Sequence, residues 1–196
     1  HTRYPLVTGV QTCALPIFGL SAMIGCSGPR EPAPVSLDPS SASRTAIDGL
    51  DSDRDGVVSA AEWRRSPALA EAAPRIDTDK DGRMTPGELE MRLAAYRSQP
   101  PYLVLMLRVQ RHGQPVPAAE VRIVPESFMG KAFRGYAGTS DGEGRVSVVS
   151  GDGGLRDALA PGLYTAEITA SGTTTRLGLE VAADAPGGRE IGRAHV

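Results

Sequence analysis

The C-terminal part of the chain alternates apolar and polar positions in the way that half-buried β-strands do. Leu103, Leu105, Leu107 and Val109 lie two residues apart, which is the side-chain period of a strand. Turn-forming residues separate further segments of the same kind. These segments predict strands at residues 120–124, 133–139, 145–149, 163–169 and 173–181. A succession of short strands like this favours an antiparallel β-sandwich over residues 102–189.

The part before these strands has the composition of helices. It covers residues 44–98 and stops at Ser98-Gln99-Pro100-Pro101, where consecutive prolines end helical structure. Pro67 and Pro74 are expected to shorten the helices within it. The fold class predicted for the chain is therefore α+β and multidomain, with a small helical domain followed by the β-sandwich.

Two segments of the helical part, residues 51–62 and 77–88, repeat the pattern Asp-x-Asp-x-Asp-Gly and end in glutamate. A Ca²⁺ ion takes about six to eight oxygen ligands, which a loop of this length supplies from positions 1, 3, 5, 7, 9 and 12. Position 7 uses its backbone carbonyl, and position 9 can hold a coordinating water. Glycine at position 6 allows a sharp turn with positive φ. The candidate ligands are Asp51, Asp53, Asp55, Val57, Ser59 and Glu62 in the first segment and Asp77, Asp79, Asp81, Arg83, Thr85 and Glu88 in the second.

This pattern resembles the EF-hand family over about residues 44–96, and the resemblance implies two Ca²⁺ sites in a coupled pair of hands. Val58 and Met84 take equivalent apolar positions and are expected to pair across a short two-stranded bridge. Compact pairs with this spacing look more like those of exported bacterial proteins than like calmodulin. Two alternatives stay open. The segments could be polar turns without a metal, or a dockerin-like pair, against which Glu62 and Glu88 at position 12 weigh.

Both ends of the chain resemble translated sequencing adapter. Residues 12–17 and 190–196 can be back-translated into DNA sequences that are reverse complements over a shared core. We therefore expect residues 1–17 and 190–196 to be adapter-derived artefacts. Without them, Cys26 is the one cysteine left of the two in the chain, which excludes a disulfide within it.

Residues 18–25 are apolar, with small residues near their end, and they lead into Cys26. This segment resembles the end of a bacterial lipoprotein signal peptide. The resemblance implies cleavage before Cys26, a lipid anchor on that residue, and export to the bacterial cell envelope, either periplasmic or surface-exposed. The alternatives are an ordinary secretory signal or a piece of apolar core. The Pro/Ser-rich residues 26–43 are expected to form an extended tether that holds the folded part off the membrane.

Three segments of the β region resemble carboxypeptidase-regulatory-like and transthyretin-like domains. They are residues 113–121, 138–146 and 161–168, within a resemblance that spans about residues 102–183. Such segments mark turns and core positions and carry no chemistry. The resemblance implies an accessory or adhesive module for a protein or glycan ligand, and it does not say which ligand.

Composition and the remaining motifs argue against nucleic-acid binding and catalysis. The chain has 21 Lys and Arg against 23 Asp and Glu, a formal net charge of −2, so it lacks the basic excess typical of nucleic-acid binding. Residues 138–142 match the Gly-x-Ser-x-Gly nucleophile pattern, but Ser140 lies between predicted strands and His112 precedes it in a turn. We expect an exported, lipid-anchored, calcium-binding protein that is not an enzyme. The alternative is a non-catalytic accessory subunit of a cell-surface enzyme or polysaccharide-processing complex.

Overall fold

A computed structural model of the chain describes residues 34–151 and 156–185, together with the backbone of residues 193–195. The helices are α1 (Pro39–Leu50), α2 (Ala60–Trp63), α3 (Pro67–Ile76) and α4 (Pro86–Arg97), with a 3-10 turn at Ser127–Met129. The strands are β1 (Val58–Ser59), β2 (Arg83–Met84), β3 (Leu103–Val104), β4 (Leu107–Arg111), β5 (Gln114–Pro115), β6 (Glu120–Pro125), β7 (Tyr136–Thr139), β8 (Arg145–Val146), β9 (Val149–Ser150), β10 (Ala158–Leu159), β11 (Gly162–Ala170), β12 (Thr173–Val181) and β13 (Arg193–His195). The predicted adapter segment 1–17, the signal peptide 18–25, Cys26 and residues 190–192 lie outside the described residues.

The helical part begins earlier than the sequence predicts. Helix α1 starts at Pro39, so the expectation of an extended tether is wrong for residues 39–43. The Asp38 carboxylate caps the helix by accepting a hydrogen bond from the Ser41 N–H (3.4 Å). Pro39 fits the first turn, where a helix needs no backbone donor. Ala46 then packs into the core, so burial of one face stabilises a serine-rich helix.

The two prolines that are expected to shorten helices, Pro67 and Pro74, have different positions. Pro67 begins α3 after Ser66, whose hydroxyl accepts a hydrogen bond from the Leu69 N–H (3.3 Å). Pro74 lies inside α3, which nevertheless continues to Ile76. Pro74 therefore does not shorten this helix as expected.

Among the described residues, no helix has the length and apolar character needed to cross a membrane.

The β part consists mainly of antiparallel strands. Together with the four α-helices of the described residues, it gives the chain a mixed α and β fold. One sheet has five strands in the order β12-β11-β6-β7-β9. In a second group, β4 pairs antiparallel with β5 and β8 and in parallel with β13. Strand β3 pairs with β10. The β11–β12 hairpin has a continuous register from Gly162 opposite Val181 to Ala170 opposite Thr173.

Two of the predicted strands, residues 103–109 and 145–149, are each split by a change of partner. Strand β3 pairs with β10 and then β4 pairs with β8, while β8 is followed by β9, which pairs with β7. Asp157 lies at both breaks. Its carbonyl accepts a hydrogen bond from the Leu105 N–H (2.7 Å), and its carboxylate accepts one from the Val148 N–H (2.7 Å). One residue thus forms hydrogen bonds at both points where the chain passes from one sheet to another.

The helical part packs directly against β12. At Gly178, helix α3 approaches so closely that a Cβ would lie 1.9 Å from the carbonyl oxygen of Pro67. Apolar side chains from both parts of the chain form a single cluster, in which Leu69 of α3, Leu93 of α4 and Leu163 of β11 are fully buried. The helices and the five-stranded sheet therefore share a core.

Candidate metal centre

The two Asp-rich segments form loops with matching backbones. Loop 1 (residues 51–62) runs from the end of α1 into α2, and loop 2 (residues 77–88) runs from the end of α3 into α4. The fourth and sixth residues of both loops have positive φ: 61° at Arg54, 86° at Gly56, 60° at Lys80 and 80° at Gly82. The space around Gly56 and Gly82 is open, so the backbone conformation rather than crowding favours glycine there.

Three aspartate carboxylates come together in each loop. Asp51, Asp53 and Asp55 each place an oxygen within 4.8 Å of the other two. The aspartates of loop 2 make an equivalent group, which consists of Asp77, Asp79 and Asp81. The structure therefore brings together the first three predicted ligands of each site.

Hydrogen bonds from the loop backbone orient the first aspartate of each group. Asp51 accepts from the N–H groups of Arg54 (2.6 Å) and Gly56 (2.9 Å). In loop 2, Asp77 accepts from the Gly82 N–H (3.0 Å). A carboxylate has about four lone-pair positions, so these bonds fix the side chain and leave acceptor capacity for a cation.

The glutamate that closes loop 1 is bonded to both ends of that loop. Glu62 Oε1 accepts from the Ser52 N–H (2.6 Å), and Oε2 accepts from the Ser59 N–H and hydroxyl (both 2.9 Å). These hydrogen bonds, the one from Ser52 foremost, lower the pKa of Glu62 to about 2. Glu62 is therefore ionised at neutral pH.

Glu88 takes the same place in loop 2. Its Oε1 accepts from the Thr78 N–H (2.9 Å), and its Oε2 accepts from the Thr85 N–H (3.0 Å) and hydroxyl (2.8 Å). Burial raises the pKa of Glu88, but the hydrogen bonds from Thr85 and Thr78 outweigh that effect and the pKa is lowered. Both loops thus end in an ionised carboxylate, although neither glutamate belongs to the close aspartate groups.

The predicted bridge between the loops is confirmed. Val58 pairs with Met84 in the β1–β2 ladder, and both side chains are fully buried. The Ala60 N–H also donates to the Gly82 carbonyl (3.1 Å). These contacts join the two loops directly.

The middle aspartate of each group is in an unfavourable electrostatic environment. The Asp55 N–H lowers the pKa of Asp53, but burial and the charges of Asp55 and Glu62 together outweigh it, so the pKa of Asp53 is raised. The pKa of Asp79 is raised for the same reasons, with Asp81 and Glu88 as the neighbouring charges. At neutral pH each middle carboxylate is therefore ionised at a cost to the folded state.

We predict that Asp53→Asn and Asp79→Asn raise the thermal midpoint in a chelator and weaken calcium binding. Asparagine keeps a side-chain oxygen for the backbone donor and removes the repelled charge. Differential scanning calorimetry in chelator and a calcium titration would check both effects.

Asp141 provides the matched control for this pair of substitutions. Its pKa is lowered by the Arg145 N–H and further hydrogen bonds, so its charge favours the folded state. Asp141→Asn should lower the midpoint in chelator. Equal shifts in the three variants would contradict the electrostatic explanation.

Ser140 of the Gly-x-Ser-x-Gly pattern is hydrogen-bonded to the backbone of the segment between β5 and β6. Its hydroxyl donates to the Val116 carbonyl (2.7 Å) and accepts from the Ala119 N–H (2.8 Å), and the residue is buried. The serine at this position therefore has a structural explanation, because its hydroxyl links two segments of the chain.

Two features of the loops were missed from the sequence. Ser52 and Thr78 donate backbone N–H groups to the closing glutamates, a contact that every residue type except proline could make and that therefore leaves little signal in the sequence. Arg83, singled out only for its carbonyl, also forms an ion pair with Asp55 of the other loop. The opposite charges of these two residues are only a weak sequence signal for the ion pair, because many other charged residues could also pair with each of them.

The donor atoms gathered in each loop are carboxylate oxygens, and hard divalent cations prefer such ligands. No protein-family model matches the chain, and no curated protein is significantly similar to it. The candidate metal centre therefore rests on the geometry and chemistry of the loops themselves.

Proposed function

We propose that the protein binds two calcium ions in an EF-hand pair formed by loops 1 and 2. The observation that carries the proposal is the repeated group of three aspartates in two loops that pair with each other. Each group crowds carboxylates that a divalent cation would neutralise. Calcium would therefore order the loops and the helices beside them.

The loop residues would have distinct roles in binding. The six aspartates would supply side-chain oxygens, and Glu62 and Glu88 would close the sites. Val57 and Arg83 would offer backbone carbonyls, while Ser59 and Thr85 would hold a water. The ion itself would supply positive charge and a fixed point around which each loop packs.

We also propose that the β part is a transthyretin-like β-sandwich that serves as an interaction module. The five-stranded antiparallel sheet and the antiparallel pairing of β4 with β5 and β8 support this. So do the strands that change partner at Asp157, since strands that switch sheets form the corners of some sandwiches.

For location, we propose an exported lipoprotein anchored through Cys26. The support is the apolar run at residues 18–25, followed by Cys26 and a Pro/Ser-rich segment. Extracellular calcium modules bind with Kd of about 10⁻⁴ to 10⁻³ M, so calcium at such sites would be mainly structural.

A calorimetric calcium titration tests the proposed function. We expect two sites with Kd at or below about 1 mM, both lost in a variant that combines Asp51→Ala and Asp77→Ala. Glu143→Gln, which removes an exposed carboxylate from the β part, should leave both sites unchanged. Trp63 is buried after loop 1, so its fluorescence should follow binding. If neither heat nor fluorescence changes, the loops are acidic turns and the proposal is wrong.

A second candidate is an accessory subunit that docks a cell-surface enzyme or a polysaccharide-processing complex. It is favoured by Val104 and Met106, which are 69% and 58% exposed beside a groove of about 780 Å³. Arg108 and Arg145 also line this groove. An exposed apolar patch is typical of docking surfaces, whereas an evenly polar surface would favour a spacer.

A further inference from the structure

A buried carboxylate on the sheet lies outside both calcium loops. Glu180 is the second-last residue of β12, and only 1% of its side chain is exposed. Ionised side chains are rarely buried unless they are paired and hydrogen-bonded. The partners of Glu180 therefore indicate why a charge is placed here.

The partners of Glu180 come from two helices. Its Oε1 accepts hydrogen bonds from Arg92 Nε and from the Tyr96 hydroxyl (both 2.6 Å), and both donors belong to α4. Its Oε2 accepts from Arg75 Nε, near the end of α3. Arg92 also bonds to Asp184 (2.7 and 3.0 Å), which is 58% exposed. We call these five residues the Glu180 cluster.

The Glu180 cluster is placed beside loop 2. Arg75 lies two residues before Asp77, the first residue of the loop. Arg92 lies four residues after Glu88, which is one helical turn from the last residue of the loop. One carboxylate on β12 thus connects the helix that enters loop 2 with the helix that leaves it. The hydrogen bonds described for Glu180 do not reach α1 or α2, the helices beside loop 1.

We propose that Glu180 is a positioning residue for cation binding in loop 2. By holding Arg75 and Arg92, it sets the spacing of α3 and α4 and keeps Asp77 and Glu88 close enough to close around one ion. This inference rests on the proposed calcium function, and it adds that the β part determines the affinity of one site selectively. Groups that orient metal ligands typically change affinity by about 10- to 100-fold when they are removed.

The test measures each loop separately. Asp51→Ala disables loop 1 and leaves loop 2 for measurement, and Asp77→Ala does the reverse. Glu180→Gln, which removes the charge and keeps the shape, is added to each and calcium binding is measured by calorimetry. We expect about tenfold weaker binding in loop 2 and a change below about twofold in loop 1. Equal weakening of both sites, or of neither, would overturn the proposal.

A metal-free measurement makes the same distinction. In chelator, Glu180→Gln should speed amide hydrogen exchange in residues 77–88 more than in residues 51–62. A general loss of stability would speed exchange in both loops alike and would contradict a positioning role.

Glu167→Gln is the matched control, because the ion pair of Glu167 with Arg176 lies within the same hairpin and does not connect α3 with α4. It should leave both affinities unchanged. If Glu180→Gln does not fold, Arg75→Gln takes its place in the test. It removes one ion pair of the Glu180 cluster and should also weaken calcium binding in loop 2. If the single-loop proteins bind no calcium at all, the proposed function fails. If they bind but show no selective effect, only the role of Glu180 fails.

Discussion

Calcium at about 10 mM is expected to raise the free energy of unfolding by about 3 to 5 kcal/mol over its value in chelator. Each of two sites with Kd of about 10⁻⁴ to 10⁻³ M contributes about 1.4 to 2.7 kcal/mol at this concentration. The reason is that the folded loops gather the ligands, whereas the unfolded chain spreads them apart. For a chain of this size the thermal midpoint should rise by about 6 to 20 °C.

Thermal unfolding followed by circular dichroism, with calcium and with chelator, measures this shift. The variant with Asp51→Ala and Asp77→Ala should show no shift. Each single variant should show about half of it, unless the bridge between Val58 and Met84 couples the sites strongly. A wild-type midpoint that is the same with calcium and with chelator would rule out calcium as a stabilising ligand.

Gly178→Ala should destabilise the protein by about 3 kcal/mol, or about 6 to 12 °C in thermal midpoint. The added Cβ would lie 1.9 Å from the Pro67 carbonyl oxygen and 2.9 Å from the Glu71 Cβ. The nearest of these atoms belongs to the backbone, so helix α3 must move away from β12 as a whole. That movement separates buried side chains such as Leu69 from the sheet.

Gly49→Ala is the matched control for this substitution. Gly49 lies exposed in α1 with open space around its Cβ position, so alanine there should be neutral or stabilise by up to about 1 kcal/mol. Chemical denaturation of both variants gives the free energies directly. If Gly178→Ala were as stable as the wild type, α3 could not lie as close to β12 as described.

Local features of the fold could be predicted because the chemistry sets their spacing. The pattern of acidic residues and glycine at fixed positions sets the backbone turns of both loops, so these turns and the pairing of Val58 with Met84 follow from short stretches of sequence. Strand β12, predicted at residues 173–181, has those same bounds because its apolar alternation is regular.

Long-range features could not be predicted in this way. Glu180 and Gly178 lie on the same face of β12. The alternation of apolar and polar positions in that strand predicts that this face is exposed to solvent. Nothing nearby in the sequence shows that α3 and α4 cover that face. The split of residues 103–109 was missed for a similar reason, because the partner at the break, Asp157, lies far along the chain.

The close fit of α3 on β12 also has an evolutionary consequence. A glycine at residue 178 and a carboxylate at residue 180 suit only a neighbour with the shape of α3 and the arginines of α3 and α4. Transfer of the helical part to another protein would leave Leu69 and Leu93 without the apolar cluster in which they are buried. We therefore expect the two parts to be inherited together, with substitutions at their contact in compensating pairs.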